Sequence, residues 1–209
     1  MLKRWSSSST LTKLLSSIGV LGVAASIAGL GTFATFTSST SANQTVATGT
    51  VTIALGTPGP ANRLTVNAST VAPGDTMQRA FQLSNSGSLA LASAPTLTTT
   101  ASPSSLLDTD GTNGLQMTID KCSVAWTEAG SSPAYTYTCS GTQSTVLASR
   151  AVIGSGLSLS NVADLITPPA TDYLRLTLSL PSATGNTFQG LTSTLTYTFT
   201  GTQRAATDQ

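Results

Sequence analysis

The sequence predicts an all-β protein, an antiparallel jelly-roll-like sandwich with at most one or two short helical turns, and three observations support this. Beyond residue 49, apolar residues recur at every second position, as they do on strands with one buried face. Turn sequences such as PGD at 73–75, NSGS at 85–88 and PSATGN at 181–186 separate the alternating segments. Charged residues make up only 8% of the chain while Ser and Thr are frequent, and Thr packs well on a pleated strand.

Four segments carry the alternation and are predicted to be strands with one face on the core. The clearest is YLRLTLSL, whose leucines share one face and whose polar residues share the other. The residues predicted to face the core are Val51, Ile53 and Leu55, Phe81 and Leu83, Leu174, Leu176, Leu178 and Leu180, and Leu195, Tyr197 and Phe199.

One segment changes phase. Leu115, Met117 and Ile119 alternate on odd positions, whereas from residue 122 onward the apolar positions are even. A one-residue slip turns side chains to the other face of a strand, so the sequence predicts a β-bulge near residues 120–121. The loop TEAGSSPA and the strand YTYTC follow, which predicts a hairpin.

The two cysteines, Cys122 and Cys139, are predicted to form a disulfide across this hairpin, because an even count in an exported protein favours pairing. A metal or redox pair is the alternative, but the spacing is not C-x-x-C. The only helical segment expected is SNVADLITPP at 160–169, where Ser160 or Asn161 caps one turn that Pro168 ends.

The first 34 residues have the features of a secretory leader. Lys3, Arg4 and Lys13 precede the apolar run LLSSIGVLGVAASIAGLGTFA, a predicted signal-peptide helix. Small residues stand before Thr35, so cleavage is predicted after Ala34. The alternative is a membrane anchor, since a span needs about 20 apolar residues. However, serines and glycines interrupt the run, and no charged residue follows until Arg63.

The predicted domain organisation is a signal peptide at 1–34, an N-terminal assembly arm at 35–49, a β-sandwich domain at 50–203 and a flexible tail at 204–209. The arm is polar, nearly uncharged and rich in Thr, and Phe36, Ala42 and Val46 favour an extended strand. Such an arm can cover the sheet edge of the next subunit by strand addition. The alternative is that the arm is the first strand of its own sheet.

Composition excludes several function classes. The chain has no histidine, which removes His-based zinc sites, Ser-His-Asp triads and Cys-His pairs. Beyond residue 34, six basic residues face eight acidic ones, so nucleic acid is not an expected partner. Contact with a membrane is expected only through the uncleaved leader. No catalytic residue and no cofactor are predicted.

Two candidate binding features remain. Asp108, Asp110 and Asn113 cluster around glycines in LLDTDGTNG, as oxygen ligands do in calcium loops. The register does not fit an EF-hand, and D-x-D-G is also a common turn sequence. The aromatic residues at 126, 135 and 137 form either a sugar-stacking face or a cross-strand cluster that covers the disulfide.

Four pieces of sequence recur in a recognisable order: GTFATF at 31–36, ATGTVTI at 47–53, VAPGDTMQRAFQLSNSGSLAL at 71–91 and NTFQGLTSTLTYTFTGTQ at 186–203. In this order they resemble the TasA/camelysin family of exported proteins of Gram-positive bacteria. The resemblance spans nearly the whole chain and is loose between about 95 and 165. This chain differs from the matrix subunits in being shorter and less charged and in carrying a cysteine pair.

The resemblance implies a jelly-roll-like domain, a leader cut by a dedicated signal peptidase, and assembly into biofilm-matrix fibres outside the cell. The partners would be further copies of this chain and other matrix or cell-wall components. The family also supplies the alternative, because camelysin members have been described as surface metalloproteases. Such an activity usually needs H-E-x-x-H, and the only glutamate here, Glu128, lies in the predicted hairpin loop. We therefore expect a structural subunit and not an enzyme, with a monomeric binding module or protease as the alternative.

Overall fold

The structure is a computed structural model that describes the backbone of residues 37–41 and residues 53–56, 59–64 and 71–205. The described residues all fall within one compact unit, Phe36–Gln209. None of the described helices is long and apolar enough to cross a bilayer.

Eleven strands contain about half of the described residues, and three short helical turns lie between them. The strands are β1 (Thr37–Ser41), β2 (Ile53–Leu55), β3 (Thr76–Asn85), β4 (Thr96–Ala101), β5 (Gln116–Cys122), β6 (Thr127–Ser131), β7 (Ala134–Thr138), β8 (Gln143–Ala151), β9 (Gly154–Ser158), β10 (Ala170–Ser179) and β11 (Leu195–Thr202). The turns are the α-helix α1 (Leu106–Thr109) and the 3-10 helices Ala163–Ile166 and Asn186–Phe188.

The strands form two antiparallel sheets and a separate hairpin. One sheet has four strands in the order β1-β11-β4-β9, and the other has five in the order β2-β3-β10-β5-β8. The hairpin consists of β6 and β7. The two sheets contribute to one apolar core, in which the rings of Phe81 from β3 and Phe199 from β11 lie 5.4 Å apart. The predicted all-β antiparallel sandwich is therefore confirmed.

The core-facing positions read from the alternation are mostly buried as predicted. The even-numbered residues of β10 and the odd-numbered residues of β11 point into the main core, because successive side chains of a strand face opposite sides. Of the predicted core residues, those fully buried are Ile53, Phe81, Leu83, Leu174, Leu176, Leu180, Tyr197 and Phe199, and Leu55, Leu178 and Leu195 are partly buried against them. Val51 lies outside the described residues.

The predicted β-bulge near residues 120–121 has a counterpart in the pairing of β5 with β8, where the register shifts between Met117 and Ile119 and again between Ile119 and Asp120. Against β10, strand β5 keeps a regular register up to Cys122. Ile119 faces the main core, whereas Cys122 faces a second apolar cluster on the opposite side of the sheet. The strand is buried on both faces, so its apolar positions change parity although its register with β10 does not slip.

The second cluster exists because the hairpin lies on the outer face of the five-stranded sheet. It contains Ala80, Cys122, Trp126 and Tyr137. The Cys122–Cys139 bond joins the hairpin to β5 across a sequence separation of 17, and the predicted intrachain disulfide is confirmed. The predicted loop TEAGSSPA is wrong over Thr127–Ser131, which is strand β6. The turn of the hairpin is confined to Ser132 and Pro133.

A short helical turn is confirmed within the predicted segment 160–169, but the predicted cap by Ser160 or Asn161 is wrong. The 3-10 helix Ala163–Ile166 begins after Val162, and no side chain caps it. Asn161 instead has a positive φ of 58° and donates its side-chain amide to the carbonyl of Thr145. Helix α1 was not predicted, although Ser105 and Asp108 form a capping box at its start.

Candidate functional site

Strand β1 is the edge of the four-stranded sheet and pairs with β11 of the same chain. The register is antiparallel over five residues, with Ser39 opposite Thr200 at its centre. All five residues of β1 are Ser or Thr. Among the described residues β1 is paired with one strand, so the backbone ladder with β11 is its connection to the sheet. Such an edge is the position where strand exchange between chains takes place.

A close approach fixes the geometry beside this edge. Gly201 of β11 lies opposite Ser38 of β1, and a Cβ atom built on it would stand 2.0 Å from Ile53 Cδ1 and 3.1 Å from Leu91 Cδ2. Glycine is therefore required for β2 to pack over the end of β11. The end of β11 that pairs with β1 is thus packed closely against Ile53 and Leu91 of the core.

The pairing of β1 bears on the predicted assembly arm. Residues 37–41 of the arm lie in the chain's own sheet, which is the arrangement expected for the monomeric alternative. The cleavage-site residues Ala34 and Thr35 and the arm residues Phe36, Ala42 and Val46 lie outside the described residues. Cleavage and assembly therefore stay predictions, and so do the domain boundaries.

The aromatic residues of the hairpin cover the disulfide. Trp126 and Tyr137 are buried in the same cluster as Cys122, and Tyr135 packs against it. Trp126 Nε1 donates a hydrogen bond of 3.0 Å to the carbonyl of Tyr173. Buried rings with satisfied polar atoms do not offer a sugar-stacking face, so the cross-strand cluster is the correct interpretation.

An ion pair between Arg63 and Glu128, the single glutamate, attaches the hairpin to the segment before β3. Arg63 donates two hydrogen bonds to Glu128, of 2.7 and 2.8 Å, and Tyr137 Oη donates a third to the same carboxylate. The bonds from Arg63 lower the pKa of Glu128. Burial, together with the bond to Glu128, raises the pKa of Tyr137 to about 12. The Arg63 guanidinium also lies 4.5 Å from the ring centroid of Tyr135. Glu128 is thus a structural residue of strand β6.

A second arginine performs the same function beneath the hairpin. Arg175 of β10 lies 4.4 Å from the ring centroid of Trp126 and donates a hydrogen bond of 2.8 Å to Asp120. It also donates to the carbonyl of Tyr137 at 3.2 Å. Because one guanidinium binds β5, the hairpin and the indole together, it fixes the hairpin on the sheet.

The calcium candidate has its carboxylates bonded to groups of the protein. Asp110 accepts hydrogen bonds from the backbone amides of Thr112 and Asn113, at 2.9 Å each, and from the Asn113 side-chain amide at 3.1 Å. Those bonds lower the pKa of Asp110. Asp108 accepts from Ser104, from Ser105 and from Ser193 Oγ at 2.5 Å. These are the contacts that the turn alternative predicts.

Sequence reasoning missed one cluster of charged groups, which we call the Lys–Asp–Asp cluster: Lys121, Asp164 and Asp172. Lys121 Nζ lies 2.5 Å from Asp164 Oδ2 and 2.5 Å from Asp172 Oδ1. A signal for it exists in the sequence. Lys121 is in phase with the odd-numbered core positions of β5, and Asp172 is in phase with the leucines of β10. Charged residues at core positions indicate a buried pair.

The donor set does not fit a protein-bound catalytic zinc ion. The chain has no histidine, and both cysteines are in the disulfide. Within the described residues no group of three or more His, Cys, Asp or Glu side chains is placed to hold a metal ion. The described carboxylates that accept hydrogen bonds or form ion pairs are Asp75, Asp108, Asp110, Asp120, Glu128, Asp164 and Asp172.

Comparison with known proteins gives one family. A family model described as camelysin metallo-endopeptidase matches residues 11–208, nearly the whole chain. No curated protein matches the chain.

Proposed function

Because the chain belongs to the camelysin metallo-endopeptidase family, we propose that it is a secreted structural subunit that polymerises head to tail into extracellular fibres by exchange of strand β1. The resemblance of its sequence to the matrix-fibre members of the TasA/camelysin family supports this proposal. The partner is a second copy of the same chain, with other matrix or cell-wall components as further partners of the fibre.

The observation that carries the proposal is the position of β1 at an edge. A five-residue strand of Ser and Thr is joined to β11 through a backbone ladder, which is independent of side-chain identity. The same ladder forms equally well between two chains, because the β11 edge is identical in every copy. Exchange thus replaces the intrachain pairing without creating a new interface.

The sequence leaves β1 enough length to reach a neighbour. Eleven residues separate Ser41 from Ile53, and an extended segment of that length spans up to about 35 Å. A contact in which the β1 of one chain meets the β11 of the next is head-to-tail, so repeating it gives an open filament. Removal of the leader after Ala34 frees the N-terminal side of β1, so that polymerisation begins only after export.

Proteolysis is not part of the proposal, despite the description of the family. The missing histidines and the bonded state of the described carboxylates support a non-enzymatic role. The mature chain, incubated with casein and Zn²⁺ with and without a chelator, is expected to leave the substrate intact. Cleavage that the chelator abolishes would overturn this part of the proposal.

Cysteine cross-linking across the β1–β11 ladder tests the exchange directly. Ser39 and Thr200 lie opposite each other, so a disulfide can form between cysteines at these positions. Mature chains starting at Thr35 are made with S39C alone or with T200C alone, then mixed, left to assemble and oxidised. Exchange is expected to give S39C–T200C dimers from the mixture and fibres in electron micrographs.

The controls separate exchange from other association. A chain with both substitutions gives a ladder of covalent polymers if β1 is exchanged, and a cross-linked monomer if it is not. A mixture of S39C with S158C tests addition to β9, the opposite edge of the sheet, and is expected to stay uncross-linked. Fibres whose cross-links are all intrachain would overturn strand exchange, and a mature chain that stays monomeric at high concentration would overturn the function.

A further inference from the structure

The Lys–Asp–Asp cluster brings an amine and a carboxyl group into contact inside the protein. Lys121 lies on β5 opposite Leu174 of β10, and Asp172 is two residues away from Leu174 on the same strand. Directly opposite and diagonal residues of an antiparallel pair share one face of the sheet. Both side chains therefore point to the side of the main core, where Asp172 lies opposite Leu83 of β3.

The two groups are withdrawn from water, and the third member is not. Asp172 is 1% exposed, the Lys121 side chain is 15% exposed, and the Asp164 side chain is 59% exposed. Leu83 and Leu174, the strand neighbours of Asp172, have no exposed surface. A buried carboxylate normally accepts several hydrogen bonds. Within the described residues, neither oxygen of Asp172 has a hydrogen bond of ordinary geometry.

The surroundings set the protonation of each group. Burial raises the pKa of Asp172, and the nearby Lys121 ammonium offsets this only in part. The hydrogen bond from Lys121 lowers the pKa of Asp164. Burial alone would lower the pKa of Lys121, but its contacts with the two carboxylates outweigh this and raise it. Asp172 is thus the carboxyl of the cluster that favours its neutral form, and Asp164 is the one that favours its ionised form beside the amine.

We propose that Lys121 and Asp172 are the site of an intramolecular amide cross-link, formed by the protein itself with Asp164 as the acid–base group. The cross-link joins Nζ of Lys121 to Cγ of Asp172 and ties β5 to β10 covalently. It is a modification of a single chain and does not depend on the proposed fibre function.

The reaction balances with the groups present. The Lys121 ammonium passes one proton to the Asp172 carboxylate in contact with it, which gives a neutral amine and a neutral acid. The amine lone pair then attacks Cγ of Asp172, and the Nζ–Cγ bond forms. Asp164 takes the extra proton from the nitrogen and delivers it to the hydroxyl on Cγ, the bond from Cγ to that hydroxyl breaks, and the hydroxyl departs as water. Nothing is oxidised or reduced, and the ion pair becomes an amide plus one water molecule.

The fold supplies the driving force that two free groups lack. Condensation of an amine with a carboxylic acid is unfavourable in water, but well-oriented groups reach effective molarities of about 10⁵–10⁸ M. With Oδ1 of Asp172 already 2.5 Å from Nζ, Cγ lies within reach of the amine without movement of either strand. The apolar surroundings also favour the neutral amide over two buried charges.

Mass spectrometry of the folded full chain tests the proposal. After prolonged incubation, the protein is expected to be lighter than its disulfide-bonded sequence by the mass of one water molecule. A peptide map is expected to contain one branched peptide that joins Lys121 to Asp172, and trypsin is expected not to cleave after Lys121. Wild-type protein with the unmodified mass and a normal tryptic cleavage at Lys121 would overturn the proposal.

Three variants assign the roles. Lys121→Arg keeps the positive charge and lacks the nucleophile, so it is expected to show the unmodified mass. Asp164→Asn is expected to slow the loss of water by at least tenfold while leaving the fold intact by circular dichroism. Asp172→Asn is expected to yield the same branched peptide with loss of ammonia instead of water. A branched peptide in Lys121→Arg at residue 121, or an unchanged rate in Asp164→Asn, would contradict the assigned roles.

Discussion

Arg63 and Glu128 lie 65 residues apart in sequence and are joined by two parallel hydrogen bonds of 2.7 and 2.8 Å. The pair connects the segment before β3 to the hairpin, and both side chains are largely shielded from solvent. The two-pronged geometry matches the fork of the guanidinium to the two oxygens of the carboxylate. Together with the disulfide it holds the hairpin at two separate points.

Glu128→Gln is expected to lower the melting temperature by a few degrees at pH 7, because the neutral amide cannot accept both bonds from Arg63. The pKa of Glu128 is lowered from its ordinary value of 4.5, chiefly by the bond from Arg63. Its stabilisation is therefore present above pH 4.5 and lost as the pH falls through the lower folded-state pKa. Thermal melts of both proteins between pH 2 and pH 7 measure this, and the two curves should converge at low pH.

Arg63→Lys is the matched variant for this pair. Lysine keeps the charge and loses the fork, so part of the stability is expected to be lost while the acid dependence remains. Equal melting temperatures for wild type and Glu128→Gln at pH 7 would show that the pair contributes nothing to stability.

The disulfide is expected to stabilise the hairpin against the sheet. Replacing Cys122 and Cys139 together by Ser should reduce the free energy of unfolding by about 3 kcal/mol, from the loop-entropy estimate. Trp126 packs in the same cluster and is the only tryptophan apart from Trp5, so fluorescence of the mature chain reports on it. Reductant should shift its emission to the red in the wild type and leave the variant unchanged. Absence of a stability change on reduction would contradict the prediction.

The sequence predicts the fold well where one face of a strand is buried. The leucines of β10 and the alternating residues of β11 are read correctly because period two determines burial there. The hairpin is read less well. Strand β6 looks like a loop because its residues are exposed except for Glu128, which is half-buried against Arg63, a residue distant in sequence. Alternation cannot reveal a strand that has no buried apolar face.

The candidate sites are harder to predict for the same reason. The pairing of Cys122 with Cys139 follows from their count, but the contact of Lys121 with Asp172 requires the register of β5 against β10. Alternation predicts that each of these two residues faces the core of its own strand. It does not predict that the two side chains lie beside each other. The edge position of β1 depends on the sheet order, which no local pattern contains.

Gly201→Ala is expected to destabilise the β11 end of the sandwich. The new Cβ would stand 2.0 Å from Ile53 Cδ1, and Ile53 is buried, so it has little space to rotate. Overpacking of this kind costs about 1–3 kcal/mol. Gly185→Ala is the matched control, because no atom lies within 4 Å of its added Cβ, and it should change stability by less than about 0.5 kcal/mol. Denaturant unfolding measures both, and equal costs would refute the role of the close approach.

Asp108→Asn is expected to cost about 1.5–3 kcal/mol at pH 7, because a charged acceptor of three hydrogen bonds is lost between α1 and the loop before β11. Burial raises the pKa of Asp108, but the bonds from Ser104, Ser193 and Ser105 outweigh it and lower the pKa below 3.8. The stabilisation is thus present above pH 3.8 and lost as the pH falls through the folded-state value. Asp110→Asn is the control, since an amide oxygen can still accept the two backbone bonds of its turn. Urea unfolding at several pH values measures both variants, and a calcium-dependent rise in the wild-type midpoint that Asp110→Asn abolishes would restore the metal interpretation of this loop.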